Sequence, residues 1–238
     1  VFSGYSSGNK LFVINSDGSD VNGFPLDLNE KVKVGAALAD FNGNGKDDIV
    51  LCTDNDHIYL VYDDGSIAPG FPFTATDKFQ SAPSIIDING EKIIIAGNND
   101  KNLYAINSDG SLRFSVLTGD RINNSPSFIE INGSLHVMFG SKDDYMYMLD
   151  MNGNIPLGWP IMLDGNLEGG IVFSDMDGNS VPEIVAISET GTINILHLDG
   201  SNYHHFPLYF GLPFTGPPLV LDLDGDGDIE IISGAINN

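Results

Sequence analysis

Cysteine is nearly absent from this chain. Cys52 stands alone among 238 residues, so no intramolecular disulfide can form, and the fold is held by its core or by some other cross-link. That count suits a cytosolic protein or an exported one stabilised by metal, and does not choose between them. Basic residues are scarce too: 10 Lys and Arg face 33 Asp and Glu, a formal charge of −23. Such a chain repels phosphate backbones, so nucleic acid is not an expected partner, and an acidic membrane surface is disfavoured. No window holds the roughly 18 uninterrupted apolar residues of a membrane span, so no membrane insertion is expected. The chain opens with neither Met nor a basic-then-apolar leader, and Val1 reads as a cut or mature end.

What is present is a 42% hydrophobic content in short clumps, bounded by Gly, Asn, Asp and Pro. That punctuation predicts an all-β protein. Composition barely changes along the chain, so residues 1–238 read as one region of a single architecture. Much of the acid sits in compact loops such as Asp222-Leu223-Asp224-Gly225-Asp226-Gly227-Asp228, which points to cation ligands more than to a diffuse acidic surface.

Self-similarity decides the fold. The acids that end the first apolar run of each unit, Asp40, Asp87, Glu130, Asp175 and Asp222, fall 47, 43, 45 and 47 residues apart. Small residues or Pro precede them, as in Gly35-Ala36-Ala37, Ala82-Pro83-Ser84 and Gly216-Pro217-Pro218. Two further apolar runs follow, then an Asp-Gly or Asn-Gly turn at 17–18, 64–65, 109–110, 152–153 and 199–200. Four units then carry an aromatic-Pro pair, Phe24-Pro25, Phe71-Pro72, Trp159-Pro160 and Phe206-Pro207, which the third lacks at Phe114-Ser115-Val116. Pro suits an outer edge strand, where no ladder donor is needed.

Four short strands in about 45 residues make one blade of a β-propeller. The small-residue strand is expected innermost, where blades converge, and the continuous apolar runs suit sheets covered on both faces. About five repeats are visible: 1–35 (partial), 36–80, 81–123, 124–168, 169–214 and 215–238 (partial). A β-sandwich has similar strand spacing but would not repeat its turn chemistry five times. The partial repeats either close a five-bladed ring or mark a slice of a larger propeller of about six to eight blades. The slice is favoured, because Val1-Phe2-Ser3-Gly4 aligns with Ile231-Ile232-Ser233-Gly234 and both ends offer the same strand.

Three of the acid-led loops keep side-chain oxygens at positions 1, 3, 5 and 9: Asp40, Asn42, Asn44 and Asp48; Asp175, Asp177, Asn179 and Glu183; Asp222, Asp224, Asp226 and Glu230. With a carbonyl at position 7, such a loop wraps a hard cation. An EF-hand would need a Glu at position 12, where Leu51, Ala186 and Ser233 stand. The loops at Asp87-Ile88-Asn89-Gly90-Glu91 and Glu130-Ile131-Asn132-Gly133-Ser134 are shorter and lack the ninth-position acid, so plain turns are expected there. A metal-free Asx-rich turn is the competing reading of the three longer loops.

The small-residue strand, the Asp-x-Asp-Gly-Asp-Gly loop, the Ile-Ile-x-Gly strand end and the turn in Asp64-Gly65-Ser66-Ile67-Ala68-Pro69-Gly70-Phe71-Pro72 together resemble the FG-GAP or VCBS repeat. That is the blade type of integrin α-subunit propellers and of many bacterial secreted proteins, and the resemblance covers essentially the whole chain. It implies a propeller that binds Ca2+ in its blade loops and serves adhesion, ligand binding or display beside other domains.

Several catalytic-looking signals have plainer readings. Gly4-Tyr5-Ser6-Ser7-Gly8 matches a nucleophile elbow, but that motif needs a helix after the Ser, and an apolar strand follows. His204-His205 would point to opposite faces of a strand and has no Cys or third His nearby, so a surface pair is expected. His57, His136 and His197 lie in strand patterns without an identifiable partner. Phe12, Tyr59, Tyr104 and Tyr147 share one repeat position, expected to pack between blades and not to form a sugar-stacking platform. Asn123-Asn124-Ser125 and Asn132-Gly133-Ser134 are formal glycosylation sequons.

The expected function is therefore a non-catalytic, calcium-binding adhesion or ligand-binding module of a secreted or cell-surface protein, with a protein or carbohydrate ligand. The alternative is the propeller of a calcium-dependent polysaccharide lyase or another secreted enzyme. A lyase needs a base beside a charge-neutralising metal or Arg, and Arg113 and Arg121 are the only arginines. A quinoprotein dehydrogenase would show Trp in most blades, and Trp159 is alone.

Overall fold

The computed structural model describes residues 2–3, 9–167 and 169–235. Its regular structure there consists of short strands: β1 (Phe2–Ser3), β2 (Lys10–Phe12), β3 (Leu26–Asp27), β4 (Ala37–Ala39), β5 (Asp48–Cys52), β6 (His57–Val61), β7 (Phe73–Thr74), β8 (Ser84–Ile88), β9 (Glu91–Gly97), β10 (Asn102–Asn107) and β11 (Leu112–Leu117). Further along come β12 (Ser127–Ile131), β13 (Ser134–Gly140), β14 (Tyr145–Asp150), β15 (Ile161–Met162), β16 (Val172–Ser174), β17 (Glu183–Ile187), β18 (Thr192–Leu196), β19 (Leu208–Tyr209), β20 (Phe214–Leu221) and β21 (Glu230–Ala235).

Each strand pairs antiparallel with its sequence neighbour. The sheets are β1-β2-β3, β4 to β7, β8 to β11, β12 to β15, β16 to β19 and β20-β21, so four repeats form complete four-stranded blades. The chain divides into two compact units, Val1–Ser125 and Pro126–Asn238.

The apolar runs are continuous because each middle strand is covered on both faces. Side chains alternate along a strand. In the first unit, Ile49 and Leu51 of β5 therefore join a core with Leu11, Phe24 and Val32 on the preceding blade, while Val50 and Cys52 join another with Ile94 and Ala96 on the next. All five residues of β5 are buried. The second unit repeats the device. Ile184 and Ala186 of β17 pack with Met138, Met146 and Trp159, and Val185 and Ile187 pack with Phe214, Val220 and Ile231. Each fully buried Leu or Ile contributes about 1.5–3 kcal/mol.

The shared aromatic position is a packing position. Tyr59, Tyr104 and Tyr147 are buried, and each hydroxyl donates to a carboxylate: Glu30 at 3.0 Å, Asp100 at 2.5 Å and Asp143 at 2.6 Å. Burial, followed by the neighbouring Glu30 charge and hydrogen bond, pushes the Tyr59 hydroxyl up to about 12.

The prolines sit before the edge strands, not in them. The four aromatic-Pro peptide bonds are cis, and each Pro immediately precedes an edge strand of two residues: β3, β7, β15 or β19. The third repeat, with no Pro at this point, runs its edge strand β11 for six residues. The Gly ahead of the pair has its own task. A Cβ on Gly23 would lie 1.8 Å from the Asp64 carbonyl oxygen, and one on Gly70 would lie 2.0 Å from that of Asp109. Each Gly-Phe-Pro segment thus presses its backbone against the Asp-Gly turn of the following blade.

Those turns are wired alike. The Asp64 Oδ1 accepts from the Ser66 amide at 2.9 Å and the Ser66 hydroxyl at 2.6 Å, and the pattern recurs at Asp17, Asp109 and Asp199. The Ser hydroxyl, and next its amide, hold each carboxyl below 3.8.

Two outcomes are expected. Gly18 and Gly23 both have positive φ (86° and 91°), but a Cβ on Gly18 meets nothing within 4 Å. Gly18→Ala should cost about 1–2 kcal/mol from backbone strain alone, and Gly23→Ala about 1–3 kcal/mol more through overlap, read as denaturant midpoints. The pH dependence follows from the lowered carboxyls. Their contribution is complete above the unfolded value near 3.8 and is lost as pH falls through the lower folded value. Ser66→Ala, followed by acid titration in chelator, should let Asp64 protonate at higher pH and move acid unfolding upward.

Candidate metal centre

The three longer loops join the first two strands of their blades and share one backbone frame. Positions 4 and 6 are left-handed in each: Gly43 and Gly45 (φ 75° and 82°), Gly178 and Ser180 (75° and 68°), Gly225 and Gly227 (80° and 95°). Glycine meets that demand without strain, whereas Ser180 does not.

Their side-chain oxygens are wired the same way. The first-position Asp accepts from the sixth-position amide: Asp40 from Gly45 at 2.8 Å, Asp175 from Ser180 at 2.8 Å, Asp222 from Gly227 at 3.1 Å. The third position accepts from the fifth amide, Asn42 at 3.0 Å, Asp177 at 3.1 Å and Asp224 at 3.3 Å. The fifth accepts from the seventh, Asn44 at 2.8 Å, Asn179 at 2.7 Å and Asp226 at 2.9 Å. The ninth accepts from the second, Asp48 at 2.8 Å, Glu183 at 3.0 Å and Glu230 at 2.7 Å. Amide donation, foremost from Gly45 and Ser180, holds Asp40 and Asp175 below the usual carboxylate range.

In two of the loops the frame gathers carboxylates into a cluster. Asp175, Asp177 and Glu183 each bring a carboxylate oxygen within 4.8 Å of the others, as do Asp222, Asp224 and Asp226. Glu230 stands outside the latter set. At its four pattern positions the first loop has two carboxylates, Asp40 and Asp48, with Asp48 fully buried. Its Asn42 amide leans on Asp48 at 3.3 Å, and its Asn44 amide and Lys46 ammonium turn to Asp63 at 2.8 and 2.6 Å. All three sets offer oxygen donors on one tight turn, and these are the residues that could hold a hard cation.

The two shortened loops are two-residue hairpin turns with both central residues left-handed: Asn89 and Gly90 (φ 55° and 88°), and Asn132 and Gly133 (51° and 76°). Asp87 accepts from the Gly90 amide at 2.7 Å and from the Lys92 ammonium at 3.2 Å, so a side-chain cation attends the carboxylate there.

Some partners escaped the sequence reading. Asp63, 15 residues beyond Asp48, closes over the first loop. The His197 Nδ1 lies 3.3 Å from Glu183 Oε1, and the Tyr203 ring stands edge-on to His197. Partial burial raises the Tyr203 hydroxyl, with Asp177, Glu183 and Asp175 adding to the shift. Glu30 collects the Thr53 hydroxyl, His57 Nδ1 and the Tyr59 hydroxyl at 2.7–3.0 Å, giving His57 a structural partner. His136 Nδ1 lies 3.0 Å from the Ser134 carbonyl oxygen, and His204 and His205 are both exposed. Gly4-Tyr5-Ser6-Ser7-Gly8 lies outside the described residues. Beside the first loop, in the crevice between the first two sheets, is a cavity of about 420 Å3 walled by Val13, Val21, Phe24, Leu38 and Ile49, with Lys46 among its polar residues.

No family model matches the sequence, and no curated protein matches it. Solved structures do share its fold. BamB from Moraxella catarrhalis is 14% identical with a TM-score of 0.60, over 87% of this chain and 60% of that one. BBS1N, crystallised in complex with ARL6DN, is 10% identical with a TM-score of 0.62, over 96% of this chain and 69% of that one. The computationally designed Ika4 protein is 14% identical with a TM-score of 0.51, over 71% of this chain and 91% of its own. The chain thus spans 60% of the BamB structure it matches. At such identities the likeness is one of fold, and that fold is the β-propeller of four-stranded blades.

Proposed function

We propose that this chain is a non-catalytic, calcium-binding β-propeller module of the FG-GAP or VCBS type, serving adhesion or ligand binding in a secreted or cell-surface protein. One observation carries the reading: a single hydrogen-bonded frame recurs in three loops, and in two of them it gathers three carboxylates within 4.8 Å. Three like charges so placed oppose closure of the turn unless a cation neutralises them. The donor set is all oxygen, as Ca2+ requires. Asp40, Asn42, Asn44 and Asp48, with their counterparts in the other two loops, would hold the ion together with the carbonyls of Lys46, Val181 and Asp228. The ligand is a protein or carbohydrate surface. BBS1N, a propeller of similar fold, was crystallised with the protein ARL6DN, which supports a binding role for such a scaffold.

Calcium at roughly 100 times a site's dissociation constant adds about 2.7 kcal/mol by mass action, a large share of a domain's stability. Affinity should rise with carboxylate number, so the first loop, with Asn at both its third and fifth positions, should bind more weakly than the second and third. Calorimetry should resolve these sites, and chelator should lower the melting temperature. Asp224→Ala should remove one ion and Asp87→Ala none. A flat calorimetric trace, or the same melting curve with and without chelator, would refute the metal reading and leave the fold untouched. Ser180→Gly separates strain from ligation. Relief of about 1–2 kcal/mol of left-handed strain outweighs the added chain entropy of Gly, so this variant should melt higher in chelator as well as in calcium.

A further inference from the structure

We propose that Asn132 is a site of spontaneous deamidation and isoaspartyl formation, singled out by the hydrogen bonding of the folded chain. Asn-Gly occurs six times, at 22–23, 42–43, 44–45, 89–90, 132–133 and 152–153. At such a pair the Gly amide nitrogen loses its proton and attacks the Asn Cγ. A new N–Cγ bond closes a succinimide, and the Cγ–Nδ2 bond breaks to release ammonia. Water then opens the ring at either carbonyl, leaving Asp or a β-linked isoaspartyl residue. The reaction needs an amide free to lose its proton and a backbone free to bring it to Cγ.

Four pairs have that amide engaged. The Gly43 and Gly45 amides donate to Asp40 at 2.7 and 2.8 Å, the Gly90 amide to Asp87 at 2.7 Å, and the Gly153 amide to the Asp150 carbonyl at 3.0 Å. A carboxylate acceptor also opposes the negative nitrogen that the attack requires. Among the described residues the Gly23 amide has no such partner, but its Cα is pressed against the Asp64 carbonyl, where a Cβ would lie 1.8 Å from the oxygen. That contact fixes the segment.

Asn132-Gly133 escapes both restraints. Among the described residues the Gly133 amide donates to no group, nothing lies within 4 Å of a Cβ built on Gly133, and both residues are exposed. The repeat explains the difference: where the homologous turn has Asp87 to accept from Gly90, this one has Glu130. An isoaspartyl link would add a methylene to the main chain of a two-residue turn and so disturb the Ile131 to Ser134 pairing that sets the register of β12 and β13.

The test is timed incubation of the folded full chain in mildly alkaline, calcium-containing buffer. Peptide mass spectrometry follows each amide, and isoaspartyl methyl transfer follows the β-linked product. The peptide containing Asn132 should convert first, with the other five Asn-Gly amides retained, and Asn132→Gln should abolish the methyl signal. In urea all six should convert at comparable rates. Asp87→Ala, checked for folding by circular dichroism, frees the Gly90 amide and should bring Asn89 conversion close to that of Asn132. The proposal fails if another Asn-Gly in the folded chain keeps pace with Asn132, if Asn132 survives while the unfolded chain converts, or if Asn89 stays intact in folded Asp87→Ala.

Discussion

Each middle strand must be buried on two faces at once, and the remaining features answer to that demand. A strand such as β5 has no solvent side, so Ile49, Val50, Leu51 and Cys52 are all apolar and all enclosed. Polarity is driven to the ends of the strands, where acid, Gly and Asn concentrate. Close approach of neighbouring blades then dictates the small residues. At Gly23, for instance, a Cβ would fall 1.8 Å from the Asp64 carbonyl oxygen of the following blade, so the backbone leaves no room for one.

The surplus of acid is put to local use by this geometry. Turns between buried strands leave amides without ladder partners, and such groups need acceptors. Asp and Asn supply them at short range, as in the Asp64-Ser66 turn and in the loops led by Asp40, Asp175 and Asp222. The hydrogen bonds that these oxygens accept fix each side chain on its own loop. Where the loop shortens to two residues, Lys92 supplies the compensating charge at Asp87.

Repeat chemistry made the blades legible in the sequence, since acids, turns and aromatic-Pro pairs recur in register and each has a local cause. The oxygen-bearing loop positions were legible for the same reason, since the pattern is complete within nine residues of chain. What escaped depends on distant chain. Asp63, His197 and Glu30 reach their partners across 14 to 29 residues, through blade geometry that no spacing rule encodes. Ser180 fills a left-handed position whose glycine signal it lacks, and Glu230 matches the loop pattern yet stands apart from the mutually close carboxylates.

The aromatic-Pro pair stands just ahead of the edge strand and not within it, and that placement bears on how the outer rim is kept from pairing with other chains. An edge strand presents unpaired amides and carbonyls in a row, and the row's length sets the hazard. Pro has no amide and halts the ladder, so β3, β7, β15 and β19 each offer two residues. The strand β11 lacks that stop and exposes Leu112 and Leu117 at its ends. Its protection comes from charge instead. Arg113, near the start of the strand, bonds to Glu91 at 3.3 Å, and such a pair must be stripped of water before another strand can dock. Pro ahead of four edge strands and an ion pair on the fifth thus meet the same threat by different physics, and at Gly23 and Gly70 the Gly-Phe-Pro segment also shapes the contact with the following Asp-Gly turn.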